Sequence, residues 1–340
     1  MKLTDFDYRL PDELVAQEPL AERSASRMLV VDRATGTLED SVFVKLPDYL
    51  KPGDCLVLND SRVFPARLFG KCDQYHREVE VFLVQPASHD RRLWNALVRP
   101  GRKLPVGAEV WFSPTLSCDI LDVGRGGERV VHFRTHNDID AEIAAIGHVP
   151  LPPYIHRKDE PRDRERYQTV YAGKPGSSAA PTAGLHFTPE VLEACQRAGA
   201  ALAKVTLHVG LGTFQPLQND EVAKNQLHSE SFQVEQWAAE SIRQAARVVA
   251  AGTTAVRTLE TVARRNGGFD ACSGETNIFI YPGQEFSAVG AMLTNFHLPK
   301  SSLLLLVCAF GGVELMLNAY RHAVEQRYRF FSYGDCMLIL

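Results

Sequence analysis

The chain has 340 residues, 45% of them hydrophobic and 23% charged, with a formal net charge of −4. That length exceeds what one core usually organises, so about two domains are expected in a globular chain able to bury sizeable cores. Composition argues against a membrane span, because the longest uncharged apolar stretch, 303–313, falls well short of about 20 residues. It also argues against a disulfide framework, because the seven cysteines are scattered with no C-x-x-C pair.

Taken in chain order, residues 1–61 open with acidic Asp5, Asp7, Asp12 and Glu13 and no apolar leader, so a cytoplasmic chain is expected. A short helical stretch follows Pro11, with strands predicted at 28–32 and 56–59. Residues 63–148 read as strands. The alternation of 78–84 (EVEVFLV) is followed by 93–98, 109–112, 119–123 and 129–134, with Pro100-Gly101, Gly107, Pro114 and Gly124 as punctuation. Short strands at this spacing suggest a small β-barrel or sandwich. The same region carries nine Lys/Arg against four acidic residues over 62–103, a net of +5. Such a run is more often a solvated strand surface than a nucleic-acid footprint.

Helix and strand alternate after Pro150. Thr188-Pro189-Glu190 supplies a capping hydroxyl, a first-turn proline and a first-turn acid, and Gly199 ends that helix. A strand is predicted over 200–207, a helix over 234–251 stopped by Gly252, and a strand from 253 to 257. Buried strands are predicted at 278–281 and 303–307, a helix over 313–328, and a closing strand at 336–340. The mixed-charge segment 156–166 (HRKDEPRDRER) reads as an exposed, mobile loop. The predicted fold class is α/β. A main α/β sheet domain, residues 1–62 and 149–340, is interrupted by an inserted small β-barrel domain at 63–148; a tandem layout is the alternative.

Four segments combine small residues, hydroxyls and an ionisable group within apolar flanks: 59–67 (NDSRVFPAR), 180–188 (APTAGLHFT), 206–214 (TLHVGLGTF) and 294–302 (TNFHLPKSS). The last three each hold one histidine. A single histidine in such a setting is usually hydrogen-bonded core; three in similar loops make proton chemistry an equal reading. No two are spaced as zinc ligands, so no metal is expected. Gly210 and Gly212 form a glycine turn able to face an anion, but Pro216 argues against the helix that a dinucleotide or methyltransferase fingerprint needs. Arg257 and Glu260, three apart, read first as a structural ion pair. The aromatic-basic run 328–335 reads as packing of the C-terminus. Spacing alone thus yields an α/β enzyme with a polar site and no substrate.

At these loops the chain resembles the S-adenosylmethionine:tRNA ribosyltransferase-isomerase family of queuosine biosynthesis. The similarity starts with 6–11 (FDYRLP), 26–33 (SRMLVVDR) and 52–68 (PGDCLVLNDSRVFPARL). It continues through 150–155 (PLPPYI), 166–172 (RYQTVYA), the 181–188 and 206–214 loops and 253–261 (TTAVRTLET), and ends with 293–310 and 328–339. Two positions depart from the family pattern: Ser178 stands where an apolar residue is expected, and Gly290 where Asp is frequent. If that Asp contributes to the site, the contribution is missing here.

The resemblance implies an α/β catalytic domain interrupted by a β-barrel. It implies a cytoplasmic enzyme that takes S-adenosyl-L-methionine as ribosyl donor and co-substrate, with no metal, no membrane and a monomeric state expected. The acceptor implied is tRNA carrying 7-aminomethyl-7-deazaguanine at the wobble position, and the products are epoxyqueuosine-tRNA, adenine and methionine. The sulfonium acidifies the adjacent ribose carbon. Loss of that proton opens the sugar and expels adenine, the aminomethyl nitrogen attacks, and an oxygen displaces methionine to close the epoxide. His186, His208 and His297 are the candidates for moving protons. Asp60, Arg62, Arg67, Thr182, Gly184, Gly210, Gly212, Thr213, Arg257, Glu260, Thr294, Asn295 and Lys300 are the candidates for holding substrate. The +5 segment is then a candidate phosphate surface. An ordinary S-adenosylmethionine-dependent RNA methyltransferase and a non-catalytic RNA-binding protein are the competing readings.

Overall fold

Alternating burial along the strands sets the architecture. The computed structural model describes residues 1–73, 75–124, 127–210 and 216–340. Its strands are β1 (Arg27–Asp32), β2 (Thr37–Val42), β3 (Asp54–Asn59), β4 (Ser61–Val63), β5 (Arg67–Cys72), β6 (Tyr75–Pro86), β7 (Leu93–Arg99), β8 (Glu109–Trp111), β9 (Ser117–Val123), β10 (Glu128–Arg134), β11 (Lys174–Ser177), β12 (Ala201–Leu207), β13 (Glu230–Val234), β14 (Arg247–Ala251), β15 (Cys272–Thr276), β16 (Ala291–Asn295) and β17 (Cys336–Ile339). The helices are α1 (Ile139–Ile146), α2 (Asp163–Arg166), α3 (Pro189–Arg197), α4 (Gln236–Arg243), α5 (Thr253–Asn266), α6 (Ser302–Gly311) and α7 (Val313–Glu325).

Among the described residues, nine strands form one mixed sheet in the order β15-β13-β12-β3-β14-β16-β17-β1-β2. Successive side chains of its strands enter two different cores, as the two-residue period requires. Leu29, Val31, Cys55, Val57, Ala250 and Met292 face the layer of α4–α7. Met28, Val30, Leu56, Leu58, Val249 and Leu293 face α3 and the turn Phe43–Tyr49. Burial on both faces explains why these strands read as unbroken apolar runs.

β12, β3, β14 and β16 run parallel. From β3 the chain crosses first to β12 on one side and later to β14 on the other. The sheet's switch point therefore lies between β3 and β14, and the crevice at the carboxyl ends of such strands is where open α/β sheets bind ligands. The inserted module is a closed barrel in the order β10-β7-β6-β5-β8-β9. It has its own core, with Leu68, Val81, Trp94, Val110, Cys118, Val131 and Phe133 all buried inside. The structure is thus an α/β sheet domain interrupted by a small β-barrel.

Several local expectations are corrected. The helix predicted over 234–251 is α4 followed by β14, where the Ala-rich run favoured helix by propensity but pairing with β3 and the Arg247–Asp54 ion pair hold it extended. The strand predicted from 253 is the N-terminal part of α5. Its β-branched residues suggested a strand, but Ala255, Val256, Leu259 and Val262 recur at helical spacing and are fully buried. Thr258 and Thr261 donate back to the carbonyls of Thr254 and Arg257, which satisfies their hydroxyls within the helix. The apolar run 303–307 is in α6, capped by Ser301 Oγ, which accepts from the Leu304 N–H at 3.2 Å. Residues 278–281 form no strand.

The segment 156–166 is not a loose loop. Arg157 grips Asp163 with two bonds of 2.7 and 2.8 Å, and Tyr333 OH and the Glu160 N–H donate to the same carboxylate. Burial pushes the Asp163 carboxyl up, but these donors outweigh it and hold it below the usual range. Among the described residues no single helix is long and apolar enough to cross a membrane. α6 and α7 qualify together by composition, but they bend by 117°, and α6 lies inside the main core.

Candidate active site

The four parallel strands end on Asn59, Leu207, Ala251 and Asn295, and Val209, Gly252 and Phe296, which follow β12, β14 and β16, face a common crevice. A cavity of about 330 Å³ opens there, its wall built from Ala179–Ala183, Gly252–Thr254 and the segment from Thr294 to Leu303, closed by Tyr154, Phe331 and Ser332. The walls are mostly apolar, with a few polar groups placed among them, as in small-molecule sites.

Of the three histidines, His297 lines this cavity. Its backbone is fixed twice: the N–H donates to Tyr320 OH at 3.1 Å, and the carbonyl accepts from Tyr8 OH. The ring Nε2 lies 2.8 Å from Thr294 Oγ1. Thr294 Oγ1 also lies 3.3 Å from the Asn295 carbonyl oxygen. Nε2 is thereby engaged with Thr294, and among the described residues Nδ1 is the ring nitrogen with no hydrogen bond. Burial pushes the imidazole pKa down to about 3, so the ring is neutral.

His186 plays a different part. It ends the turn Thr182–His186, which packs against β16. Both ring nitrogens are engaged, Nδ1 with Ser26 Oγ at 2.7 Å and Nε2 with Asn295 Nδ2 at 3.1 Å. The ring sits behind Asn295, outside the cavity wall. Burial, then the charges of Arg23 and Arg329, push its pKa to about 3. Asn295 itself lines the cavity and is held by the carbonyls of Phe331 and Asp335, while its Oδ1 is buried without a partner.

His208, at the end of β12, packs against Gly176, where an added Cβ would come within 3.0 Å of the ring. Its Nδ1 is buried and has no partner among the described residues; burial lowers its pKa, and nearby Asp60 partly offsets this. Asp60 accepts from Thr206 Oγ1 at 2.7 Å. Asp60 and His208 thus form a second group, outside the cavity lining, at the ends of β3 and β12.

The structure sorts the other candidates as clearly. Thr182, Thr294, Asn295 and Lys300 line the cavity, with Lys300 paired to Asp7 at 2.7 Å. Gly184 is a packing glycine, because a Cβ there would collide with Tyr171 OH and Thr169. Arg62 is exposed on β4, and Arg67 starts the barrel in an ion pair with Glu80. Arg257 pairs with Glu230 rather than Glu260, and Glu230 also accepts from the Gly210 N–H at 2.8 Å. The Glu260 carboxylate is wholly buried and taken up by the N–H groups of Ser287, Ala288 and Val289. Gly212 and Thr213 lie outside the described residues. Gly252, Thr253 and Thr254 line the cavity but are absent from the sequence-based candidates. Reading 253–266 as a helix would have found them, since a strand, a glycine and a helix then meet at the switch point. Among the described residues no cluster of His, Cys, Asp or Glu could hold a metal ion.

A family model described as queuosine biosynthesis protein matches residues 3–339. A protein of Solibacter usitatus named S-adenosylmethionine:tRNA ribosyltransferase-isomerase is 58% identical, with both chains covered in full. A protein of Natranaerobius thermophilus bearing the same name is 49% identical over 100% of this chain and 99% of its own. The crystal structure of the S-adenosylmethionine tRNA ribosyltransferase of Thermotoga maritima superposes with a TM-score of 0.57 at 39% identity, covering 99% of this chain and 100% of that one. With a family match over nearly every residue and relatives this similar, the chain belongs to the S-adenosylmethionine:tRNA ribosyltransferase-isomerase family of queuosine biosynthesis proteins.

Proposed function

We propose that the chain transfers and isomerises the ribosyl group of S-adenosyl-L-methionine onto 7-aminomethyl-7-deazaguanine at the tRNA wobble position. The products are epoxyqueuosine-tRNA, adenine and methionine, and the reaction takes place in the cytoplasm on a monomeric enzyme. The observation that carries this reading is the switch-point cavity, lined by a neutral His297 whose Nε2 is held by Thr294 and whose Nδ1 has no hydrogen bond among the described residues.

The chemistry needs a group that first accepts and then returns a proton. His297 Nδ1 takes the proton from the carbon beside the sulfonium, and the electron pair left there opens the sugar and expels adenine. Burial keeps the imidazole neutral and so free to accept that proton, and the protonated ring then hands it to the departing adenine. The acceptor's neutral amine then adds to the opened sugar and loses one N–H proton to solvent; the carbanion regenerated beside sulfur closes onto the aldehyde carbon freed by adenine, and the resulting alkoxide displaces methionine to form the epoxide. The apolar walls from Ala179, Ala180, Leu298 and Phe331 keep water from the opened sugar.

The test is incubation of the full chain with donor and precursor tRNA. Adenine release in step with a tRNA mass gain equal to the epoxycyclopentanediol group supports the proposal. A mass gain of one methyl group without adenine release contradicts it and assigns methyl transfer instead.

A further inference from the structure

Three arginines outside the cavity converge on the buried His186. Arg23 donates to the carbonyls of Leu185 and Glu165, at 3.1 and 2.8 Å. Arg166 donates to those of Ala21 and Leu20, at 2.9 and 2.5 Å, and Arg329 to that of Glu18. Every one of these acceptors is a neutral carbonyl, and among the described residues the three guanidinium groups form no ion pair. Among the described residues, Arg166 Nε and Arg329 Nη1 are buried with no hydrogen-bond partner.

The charges are close enough to repel one another. Burial and then Arg166 lower the pKa of Arg23; burial, Arg23 and Arg329 lower that of His186. The compensating charges are Glu165 toward Arg23 and Asp335 toward Arg329. Between Arg23, Ser26, Arg166, His186, Ser332 and Tyr333 is a notch of about 20 Å³, room for roughly one oxygen-sized group. Arginines that served only as clips over backbone carbonyls would have no reason to meet around a notch. Partly buried like charges with unused donors are unfavourable unless an anion completes them.

We propose that this notch is an oxyanion site that receives a backbone phosphate of the tRNA substrate, one phosphoryl oxygen entering between Arg23 and Arg166. Identifying the anion as RNA phosphate rests on the function proposed above. Ser332 forms part of the wall of both notch and cavity, so the two lie back to back. A nucleotide directed toward the cavity would therefore carry its backbone past Arg23 and Arg166. A phosphodiester needs to place only one oxygen in so small a space, whereas the donor is already accommodated in the larger cavity.

The test measures the affinity of an anticodon stem-loop RNA for the full chain across a range of salt concentrations, with donor affinity measured in parallel. In the wild type, log K falls with log salt; Arg166→Gln should weaken RNA binding and reduce the slope by about 0.7–0.9, the value for one phosphate contact. Arg166→Lys should keep the slope, and donor affinity should be unchanged in both. Equal slopes in wild type and a folded Arg166→Gln variant would overturn the proposal. So would weakened donor binding with RNA binding intact, which would assign the notch to the donor's carboxylate. If Arg166→Gln does not fold, Arg23→Gln is read by the same criteria. A wild-type chain with no RNA affinity would sink the function reading along with the phosphate assignment, whereas RNA binding with an unaltered slope sinks the notch alone.

Discussion

At the scale of single residues, two histidines buried alike do different work because their hydrogen bonds differ. His297 has one nitrogen committed to Thr294 and lines the cavity; His186 has both committed and braces Asn295 from behind. His297→Gln should therefore lower the rate of adenine release by about 10²–10⁴-fold while donor affinity stays within a few-fold of wild type. Calorimetric titration and a single-turnover assay check this, and an unchanged rate would remove His297 from the chemistry. His186 predicts a different signature. Its folded pKa of about 3 lies below the ordinary histidine value, so between pH 6.5 and 3 the unfolded chain binds more protons than the folded one. Its contribution to stability is complete above about pH 6.5 and is lost as pH falls through that window. His186→Gln has no ring to protonate and should show a shallower loss of stability between pH 7 and 5. Urea midpoints at the two pH values test it, and identical pH dependence in both proteins would contradict the assignment.

At the scale of elements, the switch-point cavity depends on how α5 leaves β14. Gly252 makes that turn with φ 97° and ψ 152°, a conformation almost reserved for glycine. Gly252→Ala should cost about 1–3 kcal/mol of stability, read by denaturant unfolding, and should weaken donor binding by displacing Thr253 and Thr254. A variant as stable as wild type would show that the turn is not strained. This junction is also where the sequence was hardest to read. Threonine-rich 253–261 suggested a strand and alanine-rich 245–251 a helix, because local propensity ranks residues without knowing their partners. What reversed both readings was tertiary: pairing of β14 with β3, and burial of Ala255, Leu259 and Val262 under the sheet. Where local signals agreed with the fold, as at Thr188, whose hydroxyl caps α3, the element was legible.

At the scale of the whole molecule, the barrel and the mixed sheet were legible because period-two alternation over 78–134 and strand–helix alternation after 150 are long-range patterns. The site was legible only in part. Resemblance brought His297, Asn295, Thr294, Thr182 and Lys300 forward together, and the structure places all five around one cavity. It gave equal weight to Arg62, Arg67 and Glu260, because a shared motif does not distinguish a residue that meets substrate from one that holds the backbone. The barrel, with its closed sheet and separate core, should also fold alone. Expressed as residues 63–148, it should unfold in one cooperative thermal transition; a gradual, non-cooperative melt would show that it depends on the sheet domain.

The central claim is that the sulfonium donor occupies the crevice at the carboxyl ends of β14 and β16 with its sugar beside His297. A crystal structure of the full chain with S-adenosyl-L-methionine tests this most directly. The account predicts donor density in the cavity bounded by Thr182, Thr254 and Phe331, with the carbon next to sulfur within reach of His297 Nδ1. Donor density beside His208 and Asp60, with the cavity vacant, would contradict it.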